Sequence, residues 1–186
     1  RLPGDKDFVT SIICRMQIHC GYFQKIDNSK IDKMAFKVLS SRLKPQLKTK
    51  VINKLAIHLR RGDYLKFNHK SHGLIKEKYI LEEAKRVINM ANFQGITIFT
   101  DSPELINFDS FKSLHSNVAI DIGGDTSLVF KRMLNHKGLI ATNSTFSLWA
   151  GLLGEIKYFS IPEFWMKDIK SSILGLNKIK RYKCRI

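Results

Sequence analysis

Cysteine is scarce in this chain. Cys14, Cys20 and Cys184 are the three in 186 residues, and no Cys-x-x-Cys pair or zinc-like spacing links them. Neither a disulfide scaffold nor a zinc module is indicated, and a reducing compartment is the expectation. Long apolar runs are missing too: no stretch of about twenty apolar residues could serve as a membrane span, and the chain opens at Arg1 without a basic and apolar leader. Acidic residues are few, 16 against 32 Lys and Arg, giving a formal charge of +16. Such an excess predicts attraction to phosphorylated ligands, polyanions or an anionic membrane surface. Asp109, Asp121 and Asp125 form no close Asp-x-Asp pair, and His69 and His72 have no third ligand nearby. No metal site is therefore expected.

The hydrophobic fraction of 44% is ordinary for a globular core. From about residue 51 the pattern alternates between strand and helix. Strands are expected over Val51–Arg60, Ile96–Thr100, Val118–Ile122, Gly138–Thr142 and Ile156–Ile161, the last closed by Pro162. Helices are expected over Lys76–Phe93, Ser127–Asn135 and Thr145–Leu153, with Glu82 supporting Arg86 four residues on. A further helix start is read at Ser102-Pro103, with Ser102 as N-cap. Repeated βα units of this size argue for a parallel, doubly wound sheet. Residues 1–50 read differently, with helices over Phe8–Met16 and Ile31–Leu43 and a basic join at Lys44–Lys50. The expected division is a helical segment at 1–50 and a Rossmann-like domain at 51–186. The basic residues gather only near the end, in Lys178, Lys180, Arg181, Lys183 and Arg185, where a solvated terminus is the first expectation and membrane-surface contact the second.

Ile57-His58-Leu59-Arg60-Arg61-Gly62-Asp63-Tyr64 is the stretch richest in chemistry. Leu55, Ile57 and Leu59 alternate with Ala56, His58 and Arg60, so His58 and Arg60 share one face of a strand. Gly62 is read as permitting a sharp turn that leaves Arg60 and Arg61 at the strand's carboxyl end. Two guanidinium forks there suit a diphosphate. In a parallel sheet the ligand lies outside the carboxyl ends of the strands. Asp101 and Ser102 follow the second expected strand, and Asn143, Ser144, Thr145 and Ser147 follow the fourth, at a helix start whose amides suit an anion. Ser144 or Thr145 could also be an N-cap alone; Phe146 and Trp149 read first as core.

These stretches also resemble a family. His58-x-Arg60-Arg61-Gly62-Asp63-Tyr64 is similar to the first signature of bacterial α-1,2-fucosyltransferases. Phe99-Thr100-Asp101-Ser102 resembles their second motif, and Ile140-Ala141-Thr142-Asn143-Ser144-Thr145-Phe146-Ser147-Leu148-Trp149 their third. Gly21-Tyr22-Phe23-Gln24 resembles an upstream element, and His72, Leu74 and Tyr79 a spacing before the helix. The sequence departs from the pattern where Val129 and His136 take positions that usually hold an acid and a cysteine, with Asp125 as a substitute acid, and where Leu148 replaces a tryptophan.

The resemblance implies the C-terminal, nucleotide-sugar half of a GT-B-type enzyme. The usual opening Gly-rich loop is absent, so the chain is expected to lack an N-terminal acceptor portion. It implies an inverting transferase using GDP-fucose and a galactose-containing acceptor glycan, with no cofactor or metal. Arg60, Arg61 and Asp63 are the expected catalytic residues, with Asp63 orienting an arginine rather than acting as base. His58, Arg60, Arg61, Asp101, Ser102, Asn143, Ser144, Thr145 and Ser147 are the expected donor-binding residues. A cytoplasmic enzyme is expected, peripheral on the inner membrane face. Two rivals stand beside this reading: an α-1,6- or protein O-fucosyltransferase-like enzyme, and a noncatalytic polyanion-binding domain. Nucleic acid is disfavoured as a partner because no basic stripe interleaved with aromatics is present.

Overall fold

The computed structural model describes residues 37, 41, 50–66, 73–166, 169–170 and 179–184. The helix expected over 8–16, the Gly21–Gln24 element, Cys14, Cys20, His69 and His72 lie outside the described residues. Of the helix expected over 31–43, only Lys37 and Ser41 are described, and both are helical.

The chain alternates between strands and helices: β1 (Ile52–Leu59), α1 (Gly62–Lys66), α2 (Glu77–Met90), β2 (Ile96–Thr100), a 3-10 turn (Pro103–Leu105), α3 (Phe108–Lys112), β3 (Val118–Asp121), α4 (Thr126–Leu134), β4 (His136–Ile140), α5 (Thr145–Leu153) and β5 (Tyr158–Pro162). A small antiparallel ribbon, β6 (Phe164–Met166) with β7 (Ile169–Lys170), precedes β8 (Ile179–Tyr182). The main sheet runs β3-β2-β1-β4-β5-β8, and every neighbouring pair is parallel. This is the doubly wound order, and its direction reverses between β1 and β4. Ligands of such sheets bind in the crevice outside that reversal.

β1 is apolar on both faces because helices cover both. Leu55, Ile57 and Leu59 pack under α2 with Ile80, Ala84 and Val87. Ala56 belongs to the opposite layer, with Met133 of α4 and Leu148 of α5. Arg86 supports α2 differently from the expectation: its guanidinium grips Glu83, through Nε to Oε2 at 2.7 Å and Nη2 to Oε1 at 2.5 Å, rather than Glu82. Glu83 is buried and also accepts the Ser160 hydroxyl, so the pair ties α2 to β5.

The basic terminal stretch is not wholly solvated. Residues 179–182 form the edge strand β8, on which Lys180 and Arg181 are exposed while Tyr182 is buried, as is Cys184 just beyond. The Tyr182 hydroxyl donates to the Ala141 carbonyl at 2.9 Å, which braces the end of β4.

Candidate active site

The strand alternation decides which arginine reaches the crevice. Continuing the β1 pattern, Arg60 follows His58 on the α4–α5 side and Arg61 follows Leu59 on the α2 side. His58 and Arg60 accordingly line a cleft of about 310 Å³, whereas Arg61 does not line it. The Arg61 side chain is 5% exposed and its Nη1 donates to the Ile75 carbonyl at 2.8 Å, with Nη2 lying 3.9 Å from Glu77 Oε1. Arg61, expected beside Arg60 on the ligand, thus anchors the segment before α2 instead.

Gly62 corrects the expectation in another way. It is not among the glycines of positive φ, so no left-handed turn requires it. A Cβ at this position would stand 2.9 Å from Ser102 Oγ and 3.2 Å from Asp101 Oδ2. Glycine leaves room for the first and second motifs to pack directly on each other. Asp101 Oδ1 accepts the amides of Arg61 at 3.0 Å and Gly62 at 3.1 Å, while Oδ2 faces Arg60 Nε at 3.8 Å. Asp101 therefore orients Arg60 and holds the start of α1. Ser102 is buried, its amide donating to Thr100 Oγ1 at 3.1 Å, and its hydroxyl does not cap the following 3-10 turn as expected. Asp63 falls in α1, and its side chain lies outside the described residues.

The third motif crosses the sheet reversal. Asn143 is buried and donates to the Gly73 carbonyl at 3.1 Å, while its own carbonyl accepts the Tyr64 hydroxyl at 2.8 Å. This bond joins the first motif to the third. Ser147 is fully buried and donates to the Ser144 carbonyl at 3.2 Å, a role inside the helix start. Ser144 is the N-cap of α5, yet its hydroxyl makes no capping bond. Thr145 is the first residue of α5 and is partly exposed. Of this motif it is Phe146 that lines the cleft, its ring 5.8 Å from His58 and 5.3 Å from Phe130.

His58 is 7% exposed and its Nδ1 is buried without a hydrogen-bond partner. Burial, reinforced by the Arg60 charge and only partly opposed by Asp101, lowers its pKa to about 4. The imidazole is therefore neutral at pH 7. His58 thus meets the cleft as an uncharged ring.

The far wall of the cleft was not marked by the motifs. Asp121, Ile122, Gly123 and Gly124 line it, together with Thr126 and Val129 of α4. Asp121 is gripped by Arg132, Nε to Oδ2 at 2.5 Å and Nη2 to Oδ1 at 2.8 Å, and it accepts the Gly123 amide at 3.1 Å. Partial burial pushes its pKa upward, but these hydrogen bonds outweigh that and hold it below the usual carboxylate value. Asp125, proposed from the sequence as a substitute acid, is the N-cap of α4 and accepts from the amides of Ser127 and Leu128. It does not line the cleft, and Val129 brings an apolar side chain where an acid was looked for. The two adjacent glycines after β3, at φ +100° and +110°, were the available sequence signal for this wall. Among the described residues, no three His, Cys, Asp or Glu side chains come together as a metal site.

A six-stranded parallel sheet of Rossmann-like order, with a cleft beside its reversal that holds Arg60 and Asp101, defines an α/β domain of the GT-B glycosyltransferase kind. The chain belongs to glycosyl transferase family 11, whose family model matches residues 1–170. It is a glycosyltransferase, then, from a family of fucosyltransferases. No curated protein matches it.

Proposed function

We propose that this chain binds GDP-fucose in the cleft beside Arg60 and transfers fucose, with inversion, to a hydroxyl of a galactoside, as an α-1,2-fucosyltransferase. The observation that carries the reading is the convergence of all three motifs at the sheet reversal: Arg60 from the first, Asp101 from the second and Phe146 from the third meet at one cleft. In this account the acceptor hydroxyl oxygen attacks the anomeric carbon of the fucose as the bond to the β-phosphate oxygen breaks; GDP leaves with the electron pair, and the hydroxyl proton passes to water. Negative charge grows on the β-phosphate. A guanidinium facing Asp101 would stabilise that charge without a divalent ion, and the amides opening α5, whose Phe146 lines the same cleft, would add to it. Ser144 and Thr145 would add hydroxyls at the same helix end. His58, neutral and buried, would offer a hydrogen bond to the donor rather than a charge.

The α-1,6 and protein O-fucosyltransferase alternatives share the arginine motif, and the Gly62-Asp63-Tyr64 continuation favours the α-1,2 reading. Titration of the chain with GDP, UDP and ADP, each with and without a chelator, tests the proposal. GDP should bind in the chelator and raise the melting temperature by mass action. Strict dependence on manganese, or a preference for UDP, would contradict it.

A further inference from the structure

We infer that the cleft wall formed by Ile122, Gly123, Gly124 and Val129 is the nucleobase subsite, and that it reads the face of a purine rather than its hydrogen-bonding edge. The inference rests on the nucleotide-sugar reading above and names how the base is held.

Position comes first. β3 lies two strands from β1, so Asp121 and Ile122 stand roughly 10 Å across the sheet from the strand that delivers Arg60. That is the reach of a nucleoside whose diphosphate lies on Arg60. Surface chemistry is second. Ile122 is 70% exposed although it lines the cleft, and the side chain of Val129 stands on the same wall. Cβ positions built on Gly123 and Gly124 would meet nothing within 4 Å. Bare peptide flanked by branched aliphatic side chains is a surface that a flat aromatic ring can cover and dehydrate.

The acceptor inventory is third. Guanine presents adjacent N–H donors, which a carboxylate could read as a pair. Asp121, the carboxylate on this wall, is engaged by Arg132 through both oxygens and by the Gly123 amide, while Asp101 takes the amides of Arg61 and Gly62 on Oδ1 and turns Oδ2 to Arg60, at the diphosphate end. Arg132 also donates to the Gly123 carbonyl at 3.0 Å, which fixes the wall in place. Without an acceptor pair committed to the base edge, removing the guanine 2-amino group should cost little. Discrimination of the large kind needs buried polar groups left unpaired by the wrong ligand.

The test is calorimetry of the 186-residue chain and its Ile122→Ser variant with GDP, IDP, UDP and inorganic pyrophosphate. GDP and IDP should bind within about threefold of one another, both more tightly than UDP, since a hydrophobic face discriminates weakly between rings of equal area. Ile122→Ser should weaken GDP and IDP alike by about fivefold, from lost apolar contact, and leave pyrophosphate affinity unchanged. Three results would overturn the inference: a GDP preference over IDP of about tenfold or more, UDP binding as tightly as GDP, or GDP affinity indifferent to Ile122→Ser. If the unsubstituted chain bound neither GDP nor pyrophosphate, the nucleotide-sugar reading would itself fail, and this subsite with it.

Discussion

Replacing each of the two adjacent arginines by methionine should produce opposite phenotypes. Arg61 is buried against the Ile75 carbonyl and near a Glu77 oxygen that has no hydrogen-bond partner. Arg61→Met would strand both. Removing one partner of a buried pair costs about 3 to 5 kcal/mol, and because the Glu77 side chain is 22% exposed the cost should sit near the lower end, about 3 kcal/mol. For a chain of this size that corresponds to a fall in melting temperature of roughly 6 to 12 °C. Arg60 is 38% exposed and 3.8 Å from Asp101. Such a pair is worth at most about 1 kcal/mol, so its loss in Arg60→Met should take about 4 °C or less from the melting temperature, a smaller fall than in Arg61→Met. Affinity should show the reverse order. A charge-assisted hydrogen bond to a diphosphate is worth about 1.5 to 3 kcal/mol, so Arg60→Met should weaken GDP binding about tenfold or more, and a folded Arg61→Met variant should bind nearly normally. Calorimetric melting and isothermal titration of the two variants check both halves. An Arg61→Met protein that melts like the parent yet loses GDP would refute the assignment.

Two further outcomes follow from the site. The His58 pKa, lowered to about 4 in the folded chain, lies below its unfolded value of about 6.5, so the unfolded state binds the extra proton as pH falls between them. Stability should decline by about 3 kcal/mol from above pH 6.5 to pH 4 through this group, and His58→Gln should remove that part of the slope in urea melts at successive pH values. Ser144→Ala removes a hydroxyl that makes no capping bond; it should cost less than the usual cap loss of about 1 kcal/mol and should lower GDP affinity. A full cap loss with unchanged affinity would show the hydroxyl to be structural.

Much of the fold was legible because helix and strand periods are strong where both faces of a sheet are covered. β2 and α5 lie where the apolar pattern puts them, and the alternation of β1 already separates His58 and Arg60 from the Leu59 side. Carried one residue further, it also separates Arg61. Proximity in sequence concealed that, since adjacent residues in an extended strand point to opposite faces. β8 was hidden for a related reason: an edge strand exposes many of its side chains, so Lys180 and Arg181 gave it the look of a solvated tail although Tyr182, between them and Cys184, is buried. The motif polar residues were found but not sorted. Sequence shows that Asn143 and Ser147 are polar at a helix start, but not that they donate to the Gly73 and Ser144 carbonyls. The Asp121–Arg132 pair, eleven residues apart on different elements, matches no local pattern at all.

Hydrogen–deuterium exchange of the chain with and without GDP tests most directly whether the crevice at the sheet reversal is the donor site. Binding there should slow exchange in peptides covering 58–62, 121–130 and 143–148, and leave the basic strand at 179–184 unchanged. Protection confined to 179–184, lost in moderate salt and indifferent to the nucleotide, would instead mark a polyanion-binding surface and contradict the account.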